Sequence, residues 1–262
     1  MSFGIPAAFT ALVWWFATGT ILLLVRRPAR TYRVSILCGT ALLGLALTFM
    51  KLSGSVTTTA SAYLGFACAL LVWAWLEITF LTGVLTGPQK TACTPRLSGW
   101  PRFVTAARTV IYNDLATLAC GVAILAITWR APNKVSLFTY IILWGMRLSA
   151  KLNLFLGVPN LGESFLPAHL AYLKSYFRRR PMNALLPISL ATAAAITLGV
   201  ARRYYSAKAG FEATACALLT TLLALGTLEH LFMVLPITSE RLWNYFGASS
   251  SAVGGAEADA DG

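Results

Sequence analysis

The chain has little charge, few acids and almost no histidine. Asp, Glu, Lys and Arg make up 11% of its 262 residues, against about 25% in an ordinary soluble domain. Acids number nine and histidines two. So thin a charged surface excludes an ordinary soluble enzyme, a disordered chain and a nucleic-acid-binding domain. The five cysteines form no CxxC pair and no Cys/His cluster. That excludes a disulfide framework or a zinc site of the usual spacing. Buried free thiols are the expectation for Cys38, Cys68, Cys120 and Cys216, which lie in apolar runs. No nucleophile elbow and no Gly-rich phosphate loop is present.

What the chain has instead is apolar length. Hydrophobic residues make up 57% and mean hydropathy is +0.69. A helix needs about 20 apolar residues to cross the hydrocarbon core. Seven runs qualify: 5–25, 34–50, 60–85, 109–129, 135–156, 182–201 and 213–235. They are too long, and alternate too little, for barrel strands. The expected fold is all-α, a polytopic membrane protein of about seven spans in one domain over 1–246. The first run has no basic residue before it, and Arg26 and Arg27 follow it without a cleavage site, so it reads as an anchor and not a signal peptide. The Ser, Gly and Ala tail 247–262 carries three acids and reads as disordered.

The basic excess has a pattern. Of 21 Lys and Arg, twelve sit in alternate loops: Arg26, Arg27, Arg30 and Arg33; Lys90, Arg96, Arg102 and Arg108; Lys174, Arg178, Arg179 and Arg180. The other loops hold half as many. The positive-inside rule puts the richer loops and the C-terminus in the cytoplasm, and the N-terminus in the periplasm. Trp14, Trp15, Trp73, Trp75, Trp100, Trp129, Trp144 and Trp243 read as interface belt or packing.

Six polar residues stay inside the runs: Glu77, Asp114, Arg147, Lys151, Glu229 and His230. Glu77 and Arg147 lie about 12–13 Å from the proposed cytoplasmic ends, and the other four about 7–9 Å, at 1.5 Å per residue. All fall on one side of the bilayer. Each charge costs at least about 2.5–3.5 kcal/mol at the helix centre unless it is paired or wet. Arg147 and Lys151 share a helix face, and by depth Glu77 and Glu229 are their counter-ions. This layer is either a structural set of ion pairs or a pocket for pigment, protons or substrate. His230 and His169 are candidate axial ligands for a tetrapyrrole such as bacteriochlorophyll or a precursor, since neutral imidazole is a common metal ligand. No metal site beyond that is indicated. A retinal protein would need a lysine in the last span, and there is none.

The segment 157–183 reads GVPNLGESFLPAHLAYLKSYFRRRPMN. Val158-Pro159-Asn160 breaks the fifth helix and Gly162 continues the turn. Ser164 is a candidate N-cap. Leu166, Leu170, Leu173 and Phe177 then recur at helical spacing, with Lys174 and Arg178–Arg180 at the basic end. This is the pattern of an amphipathic helix near 165–180 lying on anionic headgroups. It also suits a partner-docking surface, with Tyr172 and Tyr176 as aromatic contacts.

The stretch LWGMRLSAKLNLFLGVPNLGESFLPAHLAYLKSYFRRRPMN (143–183), followed by LEHLFMVLP (228–236), resembles the PuhE family. These are photosynthetic complex assembly proteins of purple and other anoxygenic phototrophic bacteria. The likeness runs from about the third span to Pro236. It implies an integral protein of the bacterial inner or intracytoplasmic membrane, encoded near the gene of the reaction-centre H subunit. It implies a non-enzymatic role in assembling the reaction centre and light-harvesting complex, or in modulating bacteriochlorophyll supply. Its implied partners are those subunits, pigment-synthesis proteins and membrane lipids, with no nucleic acid. The family supplies no catalytic residues. The motif positions Arg147, Lys151, Asn153, Pro159, Asn160, Glu163, His169 and Arg178–Arg180, with Glu229 and His230, are the ones to test. A tetrapyrrole carrier, or a membrane transporter or enzyme, are the rival readings.

Overall fold

The computed structural model describes residues 3–162 and 166–235. Glu163, Ser164, Arg241, Trp243 and the tail lie outside them. Seven helices are long and apolar enough to cross a membrane, and no strand occurs among the described residues. They are α1 (Gly4–Arg26), α2 (Tyr32–Gly54), α3 (Thr59–Leu81), α4 (Gly99–Thr128), α5 (Val135–Leu156), α6 (Leu185–Ser206) and α7 (Phe211–Phe232). The chain is a polytopic all-α membrane protein.

Helix α3 is the hub. It packs on α1, α2, α4, α5 and α7, and its apolar residues run all round it, with Leu64 and Leu71 left exposed on one face. The odd-numbered helices α1, α3, α5 and α7 touch in a ring, with α2, α4 and α6 outside. At the end where α3, α5 and α7 begin, the ring is shut by a core of Ala62, Phe66, Leu70, Val135, Leu218 and Leu222. Asn133 locks this end. Its amide donates to Ser61 O at 3.1 Å, and its Oδ1 accepts from Val135 N at 3.1 Å. A second core, around Met50, Cys68, Val72, Leu76 and Tyr140, fixes α2, α3, α4 and α5. The cysteines are all free. Cys68 and Cys216 are buried, whereas Cys38 is exposed on the outer helix α2, where small apolar groups can face lipid.

Helices α2, α4 and α6 each run several residues past an end of their apolar runs. Helix α4 starts at Gly99, so Arg102 and Arg108 lie on it and not in a loop. Helix α6 runs to Ser206 and carries Arg202 and Arg203 on its last turn. Composition marks what lipid can hold, whereas the backbone ladder continues wherever other contacts support it. The loop before α4 tucks against that helix. Thr86 O accepts from Tyr112 N and Asn113 N, at 2.9 and 3.2 Å. A side chain at Gly87 would collide with the backbone of Arg108 and Thr109.

The expected amphipathic helix near 165–180 takes another form. Ala168–Tyr176 is a 3-10 segment, and its apolar side faces protein. Leu170 and Leu173 are buried against Phe80, with Leu81 and Val110 beside them. The segment is a cap on the end of the bundle. Leucine spacing alone cannot separate a 3-10 turn from an α-turn, nor say whether lipid or protein receives the apolar side.

Candidate polar layer and its chambers

The polar layer forms at the capped end of the ring. Helix α3 carries Glu77 one turn before its end, and α5 carries Arg147 and Lys151 one turn apart. Arg147 Nη1 pairs with Glu77 Oε1. Lys151 Nζ pairs with Asp114 Oδ1 at 2.5 Å. The expectation that Glu77 and Glu229 neutralise the two bases therefore holds for Glu77 alone. Depth places residues along the membrane normal, but direction around the helix decides who meets. Arg147 faces α3, whereas Lys151, rotated by part of a turn, faces α4. The Arg147 guanidinium also lies over the rings of Phe80 and Trp73, at 5.3 and 5.6 Å, a cation–π arrangement that suits a partly dehydrated cation.

Three acids against two bases leave Glu229 over. Among the described residues no cation lies within ion-pair distance of it, and the Trp14 indole N–H is its hydrogen-bond donor. His230, the next residue, points elsewhere and is buried. Its Nδ1–H donates to Gly226 O at 3.0 Å, so Nε2 accepts from the Ser149 hydroxyl at 2.9 Å. Both ring nitrogens are thus engaged, and axial ligation by His230 would cost the Ser149 bond. His169 sits on the cap with Nε2–H donating to Leu81 O at 2.9 Å. It satisfies a carbonyl left open at the end of α3. No group of three or more His, Cys, Asp or Glu residues is placed to hold a metal among the described residues.

Two cavities adjoin this layer. The first, of about 310 Å³, lies inside the ring and is lined by Trp14, Glu77, Arg147, Leu70, Leu222 and Glu229. Leu70 and Leu222 belong to the core that shuts the far end, so this chamber is blind. The second, of about 420 Å³, lies between α4, α5 and the cap, with Asp114, Arg147 and Lys151 on its wall. Leu22, Leu81, Arg147 and Ala150 line both. Both volumes fall in the ~300–1,000 Å³ range of small-molecule sites, mostly apolar with a few polar groups.

Most of the 143–183 motif builds the cap, whose Leu161, Leu166, Leu173 and Tyr176 line the second chamber. Asn160 donates from Nδ2 to Phe232 O at 2.9 Å and also to Leu235 O. Its N–H reaches Met233 O at 3.0 Å. It thereby closes the carbonyl end of α7 and joins the two signature stretches in space. Pro159 lies half-buried beside it. Asn153, fully buried, donates to Ser149 O at 2.9 Å and Ser189 Oγ at 3.2 Å. Asn183 starts α6, accepting from Leu185 N and Leu186 N and donating to Gly157 O. Arg102 donates to Tyr176 O at 2.5 Å and lies over the Phe155 ring.

Of the two tyrosines read as docking contacts, Tyr176 is turned into the protein and Tyr172 is half-buried. Tyr176 is 3% exposed and its hydroxyl donates to Thr91 O at 3.1 Å. Burial pushes its phenol pKa up. Tyr172 packs beside Phe80 and Leu170. Lys174 and Arg178 are half-buried, while Arg179 and Arg180 are exposed on the outer face of the cap. Trp14, Ser149, Arg102 and Asn183 are site residues that sequence reading passed over. Asn183 alone carried a signal, an Asn just before an apolar run.

A family model described as "Protein of unknown function (DUF3623)" matches residues 1–253. A protein of Rhodobacter capsulatus is 36% identical over 243 residues, covering 91% of this chain and 89% of the relative. It is described as "Uncharacterized 30.4 kDa protein in puhA 5'region". No solved structure matches.

Proposed function

The chain belongs to the DUF3623 family, and from that premise we propose that it is a non-enzymatic membrane factor for assembling the photosynthetic reaction centre and light-harvesting complex. The observation that carries this reading is the position of the Rhodobacter relative in the puhA 5' region. It fits the PuhE resemblance of the 143–183 and 228–236 stretches, which implies a gene beside that of the reaction-centre H subunit. The membrane is the bacterial inner or intracytoplasmic one. The capped end, with its basic loops, faces the cytoplasm. There Arg179 and Arg180 meet anionic headgroups, and the cap meets the nascent complex or a pigment-synthesis protein.

The test is deletion in a phototrophic host. Membranes of the deletion strain have lower near-infrared absorption per cell and less assembled complex on native gels. The full-length protein, gently solubilised, brings reaction-centre, light-harvesting or pigment-pathway subunits with it. Unchanged pigment and complex levels in the deletion strain would sink the reading.

A further inference from the structure

We propose that the blind chamber inside the ring binds a hydrophobic molecule through a primary ammonium group seated on Glu229. The argument starts from charge. The chamber wall holds Glu77, Arg147 and Glu229. Glu77 and Arg147 neutralise each other. The neighbouring Asp114 is taken by Lys151. One carboxylate is left, accessible from the chamber and at membrane depth. An anionic guest would face that carboxylate, and Arg147 has no charge to spare for it. A neutral guest would leave it to water or a proton, with no charge-assisted contact to the guest. A cation completes the layer.

Shape and lining then narrow the guest. The ring contacts run α1 to α3, α3 to α5, α5 to α7 and α7 back to α1. Residues of all four helices line the chamber, and at about 310 Å³ it is too small for a partner's transmembrane helix but admits a small molecule. The floor is Leu70 and Leu222, and the wall adds Ile142, Leu143 and Trp73, so the guest's body is apolar. Trp14 stands beside Glu229 on the chamber wall, with its indole N–H turned to the carboxylate. Three N–H donors on a compact ammonium match a carboxylate that has one donor already. The inference rests on the chamber alone, and stands or falls apart from the assembly role.

The experiment uses the full chain in phosphatidylcholine nanodiscs, with tritiated dodecylamine as probe and empty discs as the partition blank. Binding is saturable. Unlabelled dodecylamine displaces it, while dodecanol and dodecanoate compete at least about tenfold more weakly. Glu229→Gln lowers affinity by about tenfold or more, as loss of a charge-assisted contact should. Glu229→Asp retains most of the affinity. Glu212→Gln, at the opposite end of α7, leaves it unchanged. Adding phosphatidylethanolamine to the discs separates two sources of the ammonium. Competition by it assigns a membrane aminolipid, and indifference assigns a free lipophilic amine. Equal competition by dodecanol, or undiminished binding in folded Glu229→Gln, overturns the proposal. The competitor ranking is read on the wild type, so it decides the matter even if a variant fails to fold.

Discussion

At one end of the ring the helices meet through Phe66, Leu218 and Leu222; at the other they stand apart around Glu77, Arg147 and Glu229. Both ends lie in the same four helices. The apolar end closes because Ala62, Phe66, Leu70, Val135, Leu218 and Leu222 pack on one another across the ring. The charged end stays open because an Arg–Glu pair reaches across a gap that Leu–Leu contact would have to shut. The comparison teaches where stability and binding reside. Apolar packing fixes the ring, and the Glu77–Arg147 pair at the capped end stands on the wall of a chamber that it shares with Glu229.

Three substitutions break or sharpen that contrast. Arg147→Ala has the largest effect. It leaves Glu77 uncompensated and costs about 3–5 kcal/mol, as broken buried pairs do. Adding Glu77→Ala recovers part of the loss in a double-mutant cycle read by equilibrium unfolding in mixed micelles. A double variant no better than the single would mean that the two do not act as a pair. Phe66→Ala acts at the closed end. Lipid removes much of the transfer term, so the cost sits near the lower limit for such truncations, about 3 kcal/mol. Stability falls while amine binding stays put; a parallel loss of binding would show that the two ends are not separate. His169→Ala is the smallest, about 1 kcal/mol for a single hydrogen bond. Faster amide exchange at the end of α3 is its signature, and an unchanged rate there would deny the capping role.

The seven helices were legible because each needs a long apolar run, and the runs 135–156 and 5–25 coincide with α5 and α1 to within a residue. Helix α4 shows the limit. Gly99–Arg108 is too polar to read as a span, yet Arg102 finds the carbonyl of Tyr176 and is 5% exposed. It had counted as an orienting loop charge. The polar layer was legible as a set, because charge in a span is rare. Its pairing was not, because depth says nothing of which way Asp114 or Glu229 turns. The cap was legible as a motif, but its leucines could not announce that Phe80 and not lipid receives them. Asn160 reads in sequence as a turn residue; only the fold shows that it closes α7.

The ion pairs also set an order on how the chain enters its membrane. Glu77 leaves the ribosome long before Arg147, and Asp114 before Lys151. At about 5–20 residues per second the carboxylate on α3 waits on the order of several seconds for its cation. Neither acid can settle alone in hydrocarbon at low cost. The cost of each unpaired acid is lifted only when α5 arrives with Arg147 and Lys151, so α3, α4 and α5 reach their lowest energy as one unit.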